Sequence, residues 1–124
     1  MFYDKQSMTE MYELSLAKKK RTGRGWELAL LTSSTNVYEM MNDADFLKMH
    51  QEWLHLIKKV IHKNDAAYLI NDGNVFLLLS EHHAATFKQD VEEHVYIRRE
   101  GKGEIRSKIT FLNEDLAKFL LTIN

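Results

Sequence analysis

Two apolar runs, Ala66-Ala67-Tyr68-Leu69-Ile70 and Val75-Phe76-Leu77-Leu78-Leu79, stand on either side of Asn71-Asp72-Gly73-Asn74. Asp-Gly between runs of this length is a strong hairpin signal. The two runs therefore pair as antiparallel strands, and the rest of the chain has to supply the sheet and its cover.

The flanking segments carry that pattern. Ser7 and Glu10 have capping-box spacing, Met8, Met11, Tyr12 and Leu16 follow, and Lys18, Lys19, Lys20 and Arg21 crowd the far end, where a helix dipole favours cations. A first helix therefore ends near Gly23. Residues 26–31 (WELALL) are short and follow a glycine, which suits a buried strand. Residues 36–41 read as a helical turn or short helix. Asp43 can cap a long helix over residues 44–61, whose Phe46, His50, Trp53, Leu54, Ile57, Val60 and Ile61 recur at helical spacing. Ser80 can cap a helix carrying Ala84, Phe87 and Val91. Val95 and Ile97 then lead into a Gly101-Lys102-Gly103 turn, and Ile105, Ser107, Ile109 and Phe111 alternate out of it as a second hairpin. Asn113 opens a last helix with Leu116, Phe119, Leu120 and Ile123 on one face. This order builds an α/β (α+β) sandwich, with one mostly antiparallel central sheet flanked by helices.

Length and composition restrict function more than they name it. The 124 residues, 44% hydrophobic, fit a single domain over 1–124, which can equally be a piece of a longer protein. Seventeen basic against 18 acidic residues leave no bulk field for nucleic acid or an anionic membrane, so neither is expected as a partner. The absence of cysteine removes disulfides, thiolate catalysis and cysteine zinc sites, and suits a cytoplasmic location. No apolar run approaches the roughly 20 residues needed to cross a bilayer, so no direct membrane insertion is expected.

Leu28-Ala29-Leu30-Leu31 leads into Ser34-Thr35-Asn36-Val37-Tyr38-Glu39-Met40-Met41-Asn42-Asp43, and residues 65–79 then run from Asp65 through the Asn71–Asn74 turn into Val75-Phe76-Leu77-Leu78-Leu79. In order and spacing this resembles the GGDEF (diguanylate cyclase) domain. That family reads an apolar strand, D-x-D-x-F-K-x-I-N-D, a long helix, R-x-x-D, and a hairpin whose turn is GGDEF. Asn42 and Asp43 match the terminal N-D, and Tyr38 stands at the phenylalanine. The resemblance spans roughly residues 10–112 and implies a nucleotide-cyclase-like fold with a ferredoxin-like core. Each matched residue also has a plain structural reading: Tyr38 and Met41 as core, Asn42-Asp43 as a helix cap, and Asn71 to Asn74 as a turn.

The resemblance further implies that the chemistry is absent. Active members hold two divalent ions on an aspartate after the central strand and on the third residue of the turn, and hard cations require anionic oxygen ligands. Those positions are Ser34 and Gly73. The two phosphate-loop glycines are Asn71 and Asp72, Asn74 follows in the turn, and the lysine of F-K is Glu39. Asn42 matches an asparagine that reads guanine, but Gln51 replaces the aspartate that would complete the reading. The chain is thus similar to degenerate GGDEF domains of the PelD receptor type. That likeness implies a non-catalytic cyclic di-GMP receptor, or a protein-interaction module, in bacterial signalling or exopolysaccharide secretion and biofilm formation. No cofactor is expected, cyclic di-GMP is the candidate ligand, and a protein partner or neighbouring domain is the candidate partner. A purely structural partner-binding domain is the rival reading.

The family's R-x-x-D allosteric site corresponds to His62-Lys63-Asn64-Asp65. Asp65 would accept from a guanine edge, His62 has replaced the arginine, and Arg98 or Arg99 would supply the missing guanidinium from a strand expected alongside. No metal site is expected. His50 and His55 lie five apart, roughly 140° around a helix, and the adjacent His82 and His83 point apart. The remaining basic residues gather at 18–24 and 98–108, either as solvated surface or as an anion site.

Overall fold

The structure is a computed structural model and describes residues 2–37, 42–71, 73–101 and 103–123. Among the described residues the order is α1 (Lys5–Thr22), β1 (Glu27–Val37), α2 (Asp43–Val60), β2 (Ala66–Asn71), β3 (Asn74–Leu79), α3 (Glu81–His94), β4 (Ile97–Arg99), β5 (Gly103–Phe111) and α4 (Glu114–Thr122). The strands form one sheet in the order β2-β3-β1-β5-β4, with every neighbouring pair antiparallel. β1, α2, β2, β3, α3 and β5 thus make two interleaved split β-α-β units, the ferredoxin-like arrangement. β4 is added at one edge, and α1 and α4 come from the two ends of the chain.

Alternation along the strands divides the core in two. Ala29 and Leu31 of β1, Val75, Leu77 and Leu79 of β3, and Ile105 of β5 meet Met49, Trp53 and Ile57 of α2 and Phe87 and Val91 of α3. On the opposite face Leu28, Phe76, Leu78 and Ala66 meet Met8 and Tyr12 of α1 and Ala117 and Leu121 of α4. β3 is buried on both faces, which is why its run VFLLL has no polar break. Each large side chain so enclosed contributes about 1.5–3 kcal/mol of transfer free energy. Two polar links cross these layers. Trp53 Nε1 donates to Ser107 Oγ at 2.8 Å, and that hydroxyl donates to the Val95 carbonyl at 3.0 Å. Tyr12 Oη donates to the Glu114 carbonyl at 3.0 Å, joining α1 to α4.

The helix starts differ in detail from the sequence reading. α1 is capped by Asp4, whose carboxylate accepts from Ser7 N–H at 2.8 Å, in place of a Ser7/Glu10 box. Asn42, one residue before Asp43, caps α2 by accepting from Asp45 N–H at 2.8 Å. Ser80 occupies the N-cap of α3 without a side-chain capping bond, and Asn113 caps α4 as expected. Gly23 closes α1 in the left-handed region (φ 74°), where a side chain would be strained.

The larger correction concerns residues 36–41. Asn36 and Val37 are strand, because β5 pairs with β1 residue for residue from Ala29↔Phe111 to Val37↔Gly103. The polar stretch Thr32-Ser33-Ser34-Thr35 concealed this continuation, since it interrupts the apolar pattern while remaining compatible with a strand. Tyr38, Glu39, Met40 and Met41 lie outside the described residues.

Candidate functional site

Asp65 lies in the short connection between α2 and β2, 2% exposed, with both carboxylate oxygens engaged. Oδ1 accepts from Ser80 N–H at 2.8 Å; Oδ2 accepts from His62 N–H at 2.9 Å and also contacts His83 Nδ1. Burial alone would raise the Asp65 carboxyl, but the Ser80 and His62 N–H groups and the His83 ring together hold it below the ordinary carboxylate value. Asp65 therefore fastens the start of β2 to the start of α3.

His83, also 2% exposed, continues the chain of contacts. Its Nε2 lies 3.2 Å from Asp90 Oδ2, one face of its ring stacks on His62 at 3.5 Å and 6°, and the Phe87 ring stands edge-on at 5.0 Å. Neither His83 nor Asp90 figured among the expected site residues. The signal was their separation of seven, two helical turns, which puts both on one face of α3.

Beside Asp65 opens a cleft of about 650 Å³, lined among others by Tyr3, Lys18, Arg24, Trp26, Lys63 and Ser80. α1 contributes Lys18, the link after α1 contributes Arg24 and Trp26, and the link before β2 contributes Lys63. Trp26 Nε1 donates to the Asn64 carbonyl at 3.1 Å, which fixes the indole against that link. Three cations, two aromatic rings and the start of α3 thus border one cavity, with Asp65 and Glu81 the acidic residues in its lining. The basic cluster at 18–24 contributes to this cleft; the cluster at 98–108 does not.

Arg98 and Arg99 are not beside His62 and Asp65. They lie on β4, at the edge opposite β2, four strand spacings or about 19 Å away across the sheet. They also face the far end of β1, since Arg99 pairs with Gly103 and Gly103 with Val37. The expectation that β4 runs alongside residues 62–65 fails because β5 and β1 intervene. Arg99 is instead ion-paired with Glu52 of α2. Arg98 stands opposite Glu104, whose carboxyl is lowered first by the hydrogen bond from Tyr96 Oη and then by the charges of Arg106 and Arg98.

Ser34 and Gly73, singled out by the GGDEF resemblance, lie on β1 and on the β2–β3 turn. Ser33 N–H donates to the Gly73 carbonyl at 2.9 Å, so the cross-strand neighbour of Gly73 is Ser33, and Ser34 lies one residue further on. Ser34, however, sits within β1 opposite Arg106, not in a loop after the strand. Asn71 Oδ1 accepts from Gly73 N–H at 3.1 Å and from Asn74 Nδ2 at 2.8 Å, and Asn74 Oδ1 accepts from Thr32 Oγ1 at 3.1 Å. These side chains lock the hairpin, and Asn42 is spent on its cap. Asp72 lies outside the described residues.

Among the described residues no helix is long and apolar enough to cross a membrane. The chain matches no protein-family model, no curated protein and no solved structure.

Proposed function

We propose that the chain is a non-catalytic, GGDEF-like regulatory domain that binds an anionic nucleotide, with cyclic di-GMP the foremost candidate, in the cleft beside Asp65. The observation that carries this reading is the placement of Lys18, Arg24 and Lys63 with Trp26 and Tyr3 around one cavity. Two phosphates call for at least two cations, and a purine ring finds a stacking surface on an indole or phenol. Ser34 and Gly73 offer no carboxylate where the family holds its ions, which supports binding without turnover. A place in bacterial signalling or polysaccharide export follows from the family resemblance and from nothing else.

Calorimetric titration with cyclic di-GMP, and with GTP and pyrophosphate for comparison, tests the reading. Lys18→Ala and Arg24→Ala should each weaken binding about ten-fold or more, as expected for a lost charge-assisted contact. Arg98→Ala and Ser34→Ala should leave it unchanged. An absence of binding at high micromolar ligand, or binding that depends on Arg98, would sink the assignment.

A partner-binding reading has one observation in its favour. Leu116 and Phe119, three apart on α4, are 44% and 58% exposed and form an apolar stripe on its outer side.

A further inference from the structure

We infer that His62, His83 and Asp90 form a binding site for a divalent transition metal, with zinc the best match, and that Asp65 is the carboxylate that orients His83 toward it. One ligand atom from each of the three residues lies within 4.8 Å of the other two. His83 Nε2 and Asp90 Oδ2 are 3.2 Å apart. Two ligands at 2.0–2.2 Å from a tetrahedral zinc stand about 3.3–3.6 Å from one another, so this pair lies close to the spacing that a shared ion would impose.

The other ring nitrogen supports the assignment. Histidines that bind a metal through one nitrogen commonly donate the other N–H to a carboxylate, which fixes the tautomer and the ring. His83 Nδ1 contacts Asp65 Oδ2, and Asp65 is itself held by the backbone N–H groups of His62 and Ser80. With Nδ1 against Asp65, Nε2 is the ring nitrogen that faces Asp90 and is placed to meet a cation. A metal ion there would bind the unprotonated Nε2.

His62 completes the set by turning. Its ring lies parallel to that of His83, and two parallel rings cannot both aim their nitrogens at one ion. His83 is buried and clamped, whereas His62 is exposed and lies outside any helix or strand, so His62 is the ring that tilts. Two imidazoles and one carboxylate are a borderline donor set that suits zinc over magnesium or calcium. Three protein ligands leave a fourth position for water. The ion would join the α2–β2 connection to α3, next to the wall that Lys63, Asp65 and Ser80 give the anion cleft, but its binding does not depend on that cleft holding a ligand.

Titration of chelator-treated protein with Zn²⁺ alone, followed by calorimetry and thermal melting, provides the test, with Co²⁺ as a spectroscopic substitute. One equivalent should bind, raise the melting temperature and, for cobalt, give the visible bands of a tetrahedral site. His62→Ala and Asp90→Asn, both at solvent-accessible positions, should each weaken binding at least about ten-fold, and Asp65→Asn by about 10–100-fold. His55→Ala and His94→Ala should not change it. Circular dichroism confirms that each variant is folded. Failure of both metals to bind, binding unaltered in His62→Ala and Asp90→Asn, or binding lost in His55→Ala or His94→Ala would overturn the site.

Discussion

Tyr12 illustrates how one residue can join two elements and make their union depend on pH. It is 4% exposed, packs edge-on against Phe76 at 6.5 Å and donates to the Glu114 carbonyl. Burial first, then the negative charges of Glu114 and Asp115, push its hydroxyl above the ordinary value of 10.0. An acid whose folded value is raised ionises first in the unfolded chain, so its contribution is complete below the unfolded value and declines as pH rises through and beyond it. Tyr12→Phe should cost about 1 kcal/mol near neutral pH, the net worth of one hydrogen bond. Above about pH 10 the gap between wild type and variant should narrow. Denaturant melts at pH 7, 9 and 10.5 would check this, and a constant gap would refute it.

Among the elements, the helix starts of α3 and α4 offer a matched comparison. Asn113 Oδ1 accepts from Leu116 N–H at 2.8 Å, whereas Ser80 makes no side-chain capping bond. The start of α3 is held instead by Asp65, through the Ser80 backbone N–H. Asn113→Ala should therefore destabilise by about 1 kcal/mol and Ser80→Ala by a few tenths at most, read from urea midpoints. Equal losses would mean that the Ser80 hydroxyl does more than its geometry indicates. Both starts look alike in sequence, a cap residue followed by an acidic residue, and only the approach of Asp65 from another part of the chain separates them.

Taken as a molecule, the fold puts Ser33, not Ser34, directly beside Gly73 across the sheet. A Cβ at Gly73 would stand 2.8 Å from Ser33 Oγ, so an aspartate there requires the serine to rotate away. Ser34 sits in mid-strand. Purified protein given GTP with magnesium or manganese should yield no cyclic di-GMP above a no-protein control. The Ser34→Asp/Gly73→Asp double variant should also yield none and should lose about 1 kcal/mol of stability through crowding. Chromatography of the reaction mixtures reads the outcome. Turnover that copurifies with either protein would show that the metal argument is wrong.

Local chemistry made most elements legible from the sequence alone. The turn at Gly73 between apolar runs, the helical spacing of Trp53 and Ile57, the alternation of Ile105, Ser107 and Ile109, and the cap at Asn113 are all decided by neighbours a few residues apart. The far half of β1 was not legible, because Ser33 to Val37 become strand only when β5 lies beside them. Nor was the site. Arg98 and Arg99 carry a suitable charge, but strand order, which depends on pairing between distant segments, puts them at the other edge of the sheet. Asp65 stood out for its position before the hairpin, yet its role comes from Ser80 and His83, 15 and 18 residues further on. Sequence spacing indicates which residues share a face of one element; which elements face each other is set by the packing of two cores on one sheet, and that packing placed His83 between two carboxylates.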